Sequence, residues 1–141
     1  MPTLEDAIAL AVQAHHGQVD KVGQPYALHV LRVMFRLETE QERIVGVLHD
    51  VIEDTNYTQG GLHRLGYSDE ILAALDCLTR RSTETYEQFI ERAAANPLAR
   101  RVKLADLEDN MDMRRLLAVT EKDRERLDRY IRSWRRLKEI G

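Results

Sequence analysis

The sequence predicts an all-α protein: a single domain over residues 1–141, built as a bundle of about seven or eight helices. Apolar residues recur at three- and four-residue spacing along most of the chain, which is the period of an amphipathic helix. No run alternates apolar and polar residues for long, and β-branched residues are not clustered, so no strand is predicted. Serine, threonine or asparagine residues that can cap a helix precede most of the periodic segments.

The composition is typical of a soluble globular domain. Hydrophobic residues make up 43% and charged residues 32% of the chain, which is long enough to bury a core. A formal net charge of −3 gives no electrostatic reason to expect a nucleic-acid polymer as partner. We predict a cytoplasmic protein without a membrane partner, because no signal peptide or membrane span is evident and the lone Cys77 cannot form an internal disulfide. Homo-oligomer formation is left open.

The first half of the chain is predicted to contain four helices. Thr3 can cap the first helix, and Gly17 ends it and opens a loop rich in glycine and proline. Thr39 and Glu42 form a capping box at the start of a long central helix. The predicted bounds are residues 4–16, 26–37, 39–54 and 58–65.

The second half is predicted to contain four more helices. Ser68 opens one of them, and Asn96 followed by Pro97 is a capping residue with proline in the first helical position. Thr120 caps the last helix, whose many arginines are interleaved with acidic residues and are therefore interpreted as a solvated face. The predicted ranges are 69–78, 85–95, 97–117 and the residues that follow 120.

The central helix carries four polar residues on the arc opposite its apolar side chains. These are His49, Asp50, Glu53 and Asp54, with His49 and Glu53 one turn apart, as are Asp50 and Asp54. Taken alone, an arc of this kind is more commonly a solvated surface. The alternative is half of a metal site.

Two other predicted helices place polar residues in apolar surroundings. His29 lies in such a run, where a hydrogen-bonded core histidine is the simpler explanation, and a lone carboxylate at Asp106 would be costly to bury. A divalent cation bound by His29, His49, Asp50 and Asp106 accounts for all four placements. Mixed imidazole and carboxylate ligands suit Mn²⁺ or Fe²⁺, with Zn²⁺ and Mg²⁺ as alternatives. Such an ion activates water for attack on phosphorus, and the acids one turn further on would orient or deprotonate that water.

Three segments resemble the hydrolase domain of the RelA/SpoT family and its stand-alone small alarmone hydrolases. They are AHHGQVDKVGQPYALHV, GVLHDVIEDT and VKLADLEDNMD. Their H…HD…D pattern is similar to the signature of the HD-domain metal-dependent phosphohydrolases. The resemblance implies an HD-type helical bundle, Mn²⁺ as cofactor and a small nucleotide substrate, with removal of the 3′-pyrophosphate from ppGpp or pppGpp.

The resemblance also implies roles for individual residues. It makes His29, His49, Asp50 and Asp106 the metal ligands, and it makes Glu53 and Asp54 the acidic pair that manages the attacking water. For Tyr26, packing at a helix start is an equal alternative to a role in the substrate pocket. The substrate contacts that the resemblance implies are Lys21, Tyr26, Thr55, Lys103 and Asn110.

Three positions depart from the family pattern. Asp20 and Leu107 stand where the family usually has arginine, and Asp109 stands where it has histidine. Each change removes positive character, which we interpret as weaker recognition of a substrate with several phosphates. The alternatives that stay open are an HD phosphohydrolase for another nucleotide or phosphate ester, a non-catalytic nucleotide-binding HD module, and an interaction protein with a basic last helix.

Overall fold

The computed structural model describes residues 1–140, and this part of the chain is helical. It contains nine α-helices and one 3₁₀ turn, and its one β-type contact is an isolated bridge between Val19 and Pro25. None of the helices within residues 1–140 combines the length and apolar character needed to cross a membrane. The all-α prediction is confirmed. The elements are α1 (Leu4–Ala14), α2 (Ala27–Phe35), α3 (Glu40–Leu48), α4 (Val51–Asp54), α5 (Gln59–Arg64), α6 (Asp69–Cys77), α7 (Tyr86–Ala95), α8 (Pro97–Asn110), the 3₁₀ turn Met113–Arg115 and α9 (Glu121–Ile140).

The helix starts follow the capping residues. Thr3, Thr39 and Thr85 each form a capping box, in which the hydroxyl accepts a backbone N–H three residues on and the side chain there accepts the cap N–H. Asn96 caps α8 through its side-chain oxygen, which accepts the N–H of Ala99. These local hydrogen bonds place the starts of the four helices within one residue of their predicted positions.

The predicted central helix is interrupted at His49 and Asp50, which separate α3 from α4. Nδ1 of His49 donates to the carbonyl of Gly46 at 2.6 Å. In a continuous helix this carbonyl would accept the N–H of Asp50, so the imidazole competes with the helical hydrogen bond. Asp50 accordingly has φ −102° and ψ 0°. When α3 and α4 are counted as one interrupted helix, residues 1–140 contain eight α-helices.

The predicted extension of α8 to residue 117 is wrong, because the helix ends at Asn110. Asp112 adopts an extended ψ of 97°, and its carboxylate accepts the N–H of Arg114 and starts the 3₁₀ turn instead. In the segment that follows α8, Asp112, Met113, Arg115 and Leu116 line a cavity described below.

The main hydrophobic core surrounds α3. The side chains of Ile44, Val45, Val47 and Leu48 are fully buried, so this short helix is held by packing on nearly all sides. A smaller cluster joins α7, α8 and α9 through Ile90, Ala94, Leu107 and Leu137. The helices α2, α3 and α8 contact one another in all three pairs, which brings the residues on their inner faces to one place.

Truncation of the core should be costly. We expect Ile44→Ala to lower the free energy of unfolding by about 3 kcal/mol, because the side chain is 0% exposed and its loss leaves a cavity. The matched control is Ile131→Ala on α9, where the side chain is 40% exposed and the expected loss is below about 1 kcal/mol. Urea unfolding followed by circular dichroism measures both. Equal losses for the two variants would contradict this description of the core.

Candidate metal centre

Four side chains from distant parts of the chain meet where α2, the α3–α4 junction and α8 touch. His29, His49 and Asp50 each offer one atom that could bind a metal, and these three atoms lie within 4.8 Å of one another. Oδ1 of Asp106 lies 3.0 Å from Nε2 of His29 and 3.3 Å from Nε2 of His49. Nε2 of His49 is in turn 3.1 Å from Oδ2 of Asp50. The structure thus brings together the four residues that the sequence nominates as ligands.

The spacing and chemistry of these atoms fit a divalent ion. With metal–ligand bonds of about 2.1 Å, adjacent ligand atoms of an octahedral ion lie about 3 Å apart. Three of the imidazole–carboxylate separations are close to this value, and the fourth, from Nε2 of His29 to Oδ2 of Asp50, is 3.8 Å. His29, His49 and Asp106 are buried, so bulk solvent screens the interactions between these groups only weakly. Two imidazoles with two carboxylates form a donor set suited to Mn²⁺, Fe²⁺ or Zn²⁺.

Both imidazole rings are oriented by hydrogen bonds on the side away from the cluster. Nδ1 of His49 donates to the carbonyl of Gly46, which can only accept, so Nε2 is the atom that faces the carboxylates. Nδ1 of His29 lies 2.7 Å from Oδ2 of Asp109, and its Nε2 also points into the cluster. Such partners fix the tautomer and ring orientation of a metal-binding histidine.

The buried histidines and carboxylates of the cluster shift one another's pKa values. Burial lowers the pKa of His29, but hydrogen bonds to Asp106 and Asp109 outweigh it and raise the pKa to about 9. Burial raises the pKa of Asp50, but the adjacent His49 more than offsets this and brings it to about 2. The carboxylates are therefore ionised at neutral pH. Binding of a cation would require the imidazoles to give up protons, because only a neutral imidazole has a free lone pair.

Three of the predicted substrate contacts touch the carboxylates of the candidate ligands directly. The hydroxyl of Tyr26 donates to Oδ2 of Asp50 at 2.6 Å. Nζ of Lys103 donates to Oδ2 of Asp106 at 2.8 Å, and Nδ2 of Asn110 donates to Oδ1 of the same residue at 3.2 Å. These contacts hold the carboxylates in place. The roles of Tyr26, Lys103 and Asn110 toward substrate remain predictions.

The acidic pair at the end of α4 has two different environments. Oε1 of Glu53 accepts the backbone N–H of Arg80 at 2.8 Å and so ties α4 to the loop after α6. The pKa of the Asp54 carboxyl is raised to about 6 by partial burial and by the neighbouring charges of Asp50 and Glu53. The hydroxyl of Thr55 donates to a carbonyl of α4, and its contact with substrate stays a prediction.

A cavity of about 550 Å³ adjoins the cluster, and His29 and Asn110 form part of its wall. This volume is within the usual range for a small-molecule site. Cationic groups from four elements face it, whereas the sequence motifs indicated only Lys21. Lys21 of the loop 17–25 and Arg126 of α9 line this cavity together, and burial and the neighbouring Arg126 lower the pKa of Lys21. The cations on the cavity wall are Lys21, Arg32, Arg115 and Arg126.

The three departures from the family pattern occupy three different environments, and Asp20 lines the cavity as expected. Oδ1 of Asp20 accepts the N–H groups of Val22 and Gln24 and organises the loop turn. The expectation that Leu107 removes a positive charge from the substrate site is wrong, because this residue is buried in the smaller hydrophobic cluster. Asp109 is buried against His29. Arg115, Arg126 and the cavity-lining Tyr130 were missed because the motifs do not include them and the polar face of α9 was interpreted as solvated.

No protein-family model matches the chain. Its sequence is 31% identical over 143 residues to the GTP pyrophosphokinase of Streptomyces coelicolor, an alignment covering 90% of this chain and 17% of that protein. It is 36% identical over 78 residues to the guanosine-3′,5′-bis(diphosphate) 3′-pyrophosphohydrolase of Borreliella burgdorferi, covering 52% of this chain and 12% of that protein. The resemblance to the RelA/SpoT family is confirmed, although the chain spans less than a fifth of these relatives.

The structure is similar to that of a metazoan SpoT orthologue that hydrolyses ppGpp. The TM-score is 0.78 at 21% sequence identity, and the match covers 97% of this chain and 86% of the other. At this identity the likeness shows the shared fold. It confirms the HD-type helical bundle.

Proposed function

We propose that this chain is a metal-dependent phosphohydrolase that removes the 3′-pyrophosphate of ppGpp, with Mn²⁺ as its resident ion. The observation that carries the proposal is that His29, His49 and Asp50 lie at metal-ligand spacing, with Asp106 against both imidazoles, beside a cavity large enough for a nucleotide. The similarity to proteins that act on guanosine 3′,5′-bis(diphosphate) supports the choice of substrate.

A divalent ion in this position supplies Lewis-acid activation of a phosphate group and of water. In the reaction, the oxygen of water bonds to the phosphorus carried by the ribose 3′-oxygen, and the bond from phosphorus to that oxygen breaks. The ribose 3′-oxygen keeps the bonding electron pair and takes up a proton, so the products are GDP and pyrophosphate. Asp54, whose pKa is raised to about 6, accepts the proton that the attacking water loses. Glu53, fixed by the N–H of Arg80, is proposed to orient that water.

The cavity wall carries four cationic side chains and three acidic ones, Asp20, Asp112 and Asp123, and its cations favour an anionic substrate. Arg32 and Arg115 lie near the His29 end of the cavity. Lys21 from the loop and Arg126 from α9 line another part of its wall. We propose that Lys21 and Arg126 bind phosphates, in the manner usual for ammonium and guanidinium groups, whereas Arg32 and Arg115 are held by Asp109. The partner is accordingly a small nucleotide, and a cytoplasmic location suits both this substrate and the free thiol of Cys77.

The direct test is turnover by the Mn²⁺-loaded protein. We expect anion-exchange chromatography to show conversion of ppGpp to GDP and pyrophosphate, with pppGpp, GTP and adenosine 3′,5′-bisphosphate as the comparison panel. Turnover of another member of the panel, but not of ppGpp, would support the proposed phosphohydrolase activity and contradict the proposed substrate. Saturable binding without product would indicate the non-catalytic HD module. No reaction with any nucleotide by protein shown to hold metal would overturn the proposed activity.

A further inference from the structure

One buried carboxylate beside the cluster has no part in the proposed reaction. Asp109 lies on α8, three residues after Asp106, and its side chain is 0% exposed. Its Oδ2 is 2.7 Å from Nδ1 of His29, the ring nitrogen that points away from the cluster. A buried anion in this position requires partners for its charge and a reason for its orientation.

Arginine side chains supply the compensating charge. Nε of Arg32 donates to Oδ1 of Asp109 at 2.8 Å, and Nη2 of the same residue donates to Oδ2 at 3.2 Å. Nη2 of Arg115 donates to the backbone carbonyl of Asp109 at 3.1 Å and lies 3.6 Å from Oδ2. This fork of donors fixes the plane of the carboxylate and keeps it ionised, so it acts as an acceptor toward His29.

The two histidines of the cluster therefore have unequal supports. Nδ1 of His49 donates to the neutral carbonyl of Gly46, whereas Nδ1 of His29 faces the anionic carboxylate of Asp109. An anionic acceptor holds the proton on Nδ1, directs the Nε2 lone pair into the cluster and makes that nitrogen a stronger donor than a carbonyl-supported one. Asp109, which stands where the similar family has histidine, thus carries a negative charge that acts on the candidate metal ligand His29.

We infer that Asp109 is a positioning residue that fixes the ring of His29 and strengthens binding of the divalent ion. The inference rests on the proposed metal centre. It reassigns the departure at Asp109 from substrate recognition to metal affinity, and it predicts an effect that is independent of any nucleotide.

The test is calorimetric titration of the full chain with Mn²⁺ alone. Asp109→Asn is isosteric and its amide oxygen can still accept the Nδ1 proton, so this variant isolates the loss of charge. We expect its dissociation constant for Mn²⁺ to rise about 10-fold, and that of Asp109→Ala to rise up to about 100-fold. The control is Asp76→Asn, which also removes an aspartate paired with an arginine, Arg81, but leaves the wild-type affinity.

A spectroscopic signature separates this role from a merely structural one. In the Zn²⁺-loaded protein, which is diamagnetic, the Nδ1 proton of His29 should resonate far downfield and exchange slowly. In Asp109→Ala it should move upfield or exchange away, while the Nδ1 proton of His49, bonded to Gly46, should be unchanged.

The outcomes distinguish the two proposals. Wild-type protein that binds no Mn²⁺ would overturn the metal centre and with it the proposed function. Wild-type binding that is unchanged in both Asp109 variants would overturn this inference alone, as would a lower melting temperature with unchanged affinity and an unchanged His29 signal.

Discussion

Replacing Asp50 with alanine should abolish Mn²⁺ binding and lower kcat/KM for ppGpp by about 10³-fold or more. Oδ2 of Asp50 lies 3.1 Å from Nε2 of His49, which makes it a candidate ligand. It also accepts a hydrogen bond from the hydroxyl of Tyr26 at 2.6 Å, and this bond fixes the orientation of the carboxylate. Its removal deletes a ligand atom and one negative charge that attracts the cation. A loss of about 4 kcal/mol of transition-state stabilisation corresponds to this factor, and a Lewis-acidic metal contributes several kcal/mol.

The control for this change is Asp128→Ala, which replaces an exposed aspartate on α9 that pairs with Arg132. We expect it to keep metal content and turnover. Elemental analysis and calorimetry report the metal, and far-ultraviolet circular dichroism should show that the helices of Asp50→Ala persist. A variant at Asp50 that binds Mn²⁺ as tightly as the wild type would contradict its assignment as a ligand.

Replacing Asp54 with asparagine should lower kcat by about 10²- to 10⁴-fold while the affinity for Mn²⁺ stays unchanged. Its raised pKa, about 6, is that of a group able to accept a proton near neutral pH, and asparagine cannot accept one. The amide has the same shape, so α4 should be unaffected. Single-turnover kinetics with metal-saturated protein measure the chemical step directly.

Glu53→Gln is the companion variant. Its side-chain oxygen can still accept the N–H of Arg80, so the link to the loop survives and only the charge is lost. We expect metal to be retained and turnover to fall by a smaller factor than in Asp54→Asn. If Asp54→Asn turned over at the wild-type rate, Asp54 would not be the base. A Glu53→Gln protein with an unchanged rate would remove Glu53 from the mechanism.

The beginnings of the helices were more predictable than some of their ends. Thr3, Thr39 and Asn96 act within one turn, so their patterns can be read directly in the sequence. The break after Leu48 and the end of α8 at Asn110 depend on side chains that displace helical hydrogen bonds or cap a new turn. Hydrophobic periodicity gives little indication of such competition between a side chain and the backbone, so these helix ends are hard to predict.

The candidate ligands were predictable because their residue types were costly in apolar segments. An imidazole or carboxylate placed in a buried run needs a compensating partner, which is why His29 and Asp106 stood out. The support from Asp109 and the cations from α9 were not predictable in the same way. Comparison with the family pattern led us to interpret Asp109 as a change in substrate recognition, whereas in the structure it contacts His29. Arg126 belongs to a helix whose polar face carries many arginines, so the sequence does not distinguish it from its solvated neighbours.

The sequence by itself determined the all-α class, the helix starts and the residue types capable of holding a divalent ion, because caps, breakers and periodicity act within about four residues. Only the tertiary structure decided that the four candidate ligands meet, that Leu107 belongs to a hydrophobic cluster and that Asp109 supports His29. Those outcomes depend on packing between α2, α3 and α8, which brings together side chains as far as 80 positions apart. No local pattern specifies the direction in which such side chains point.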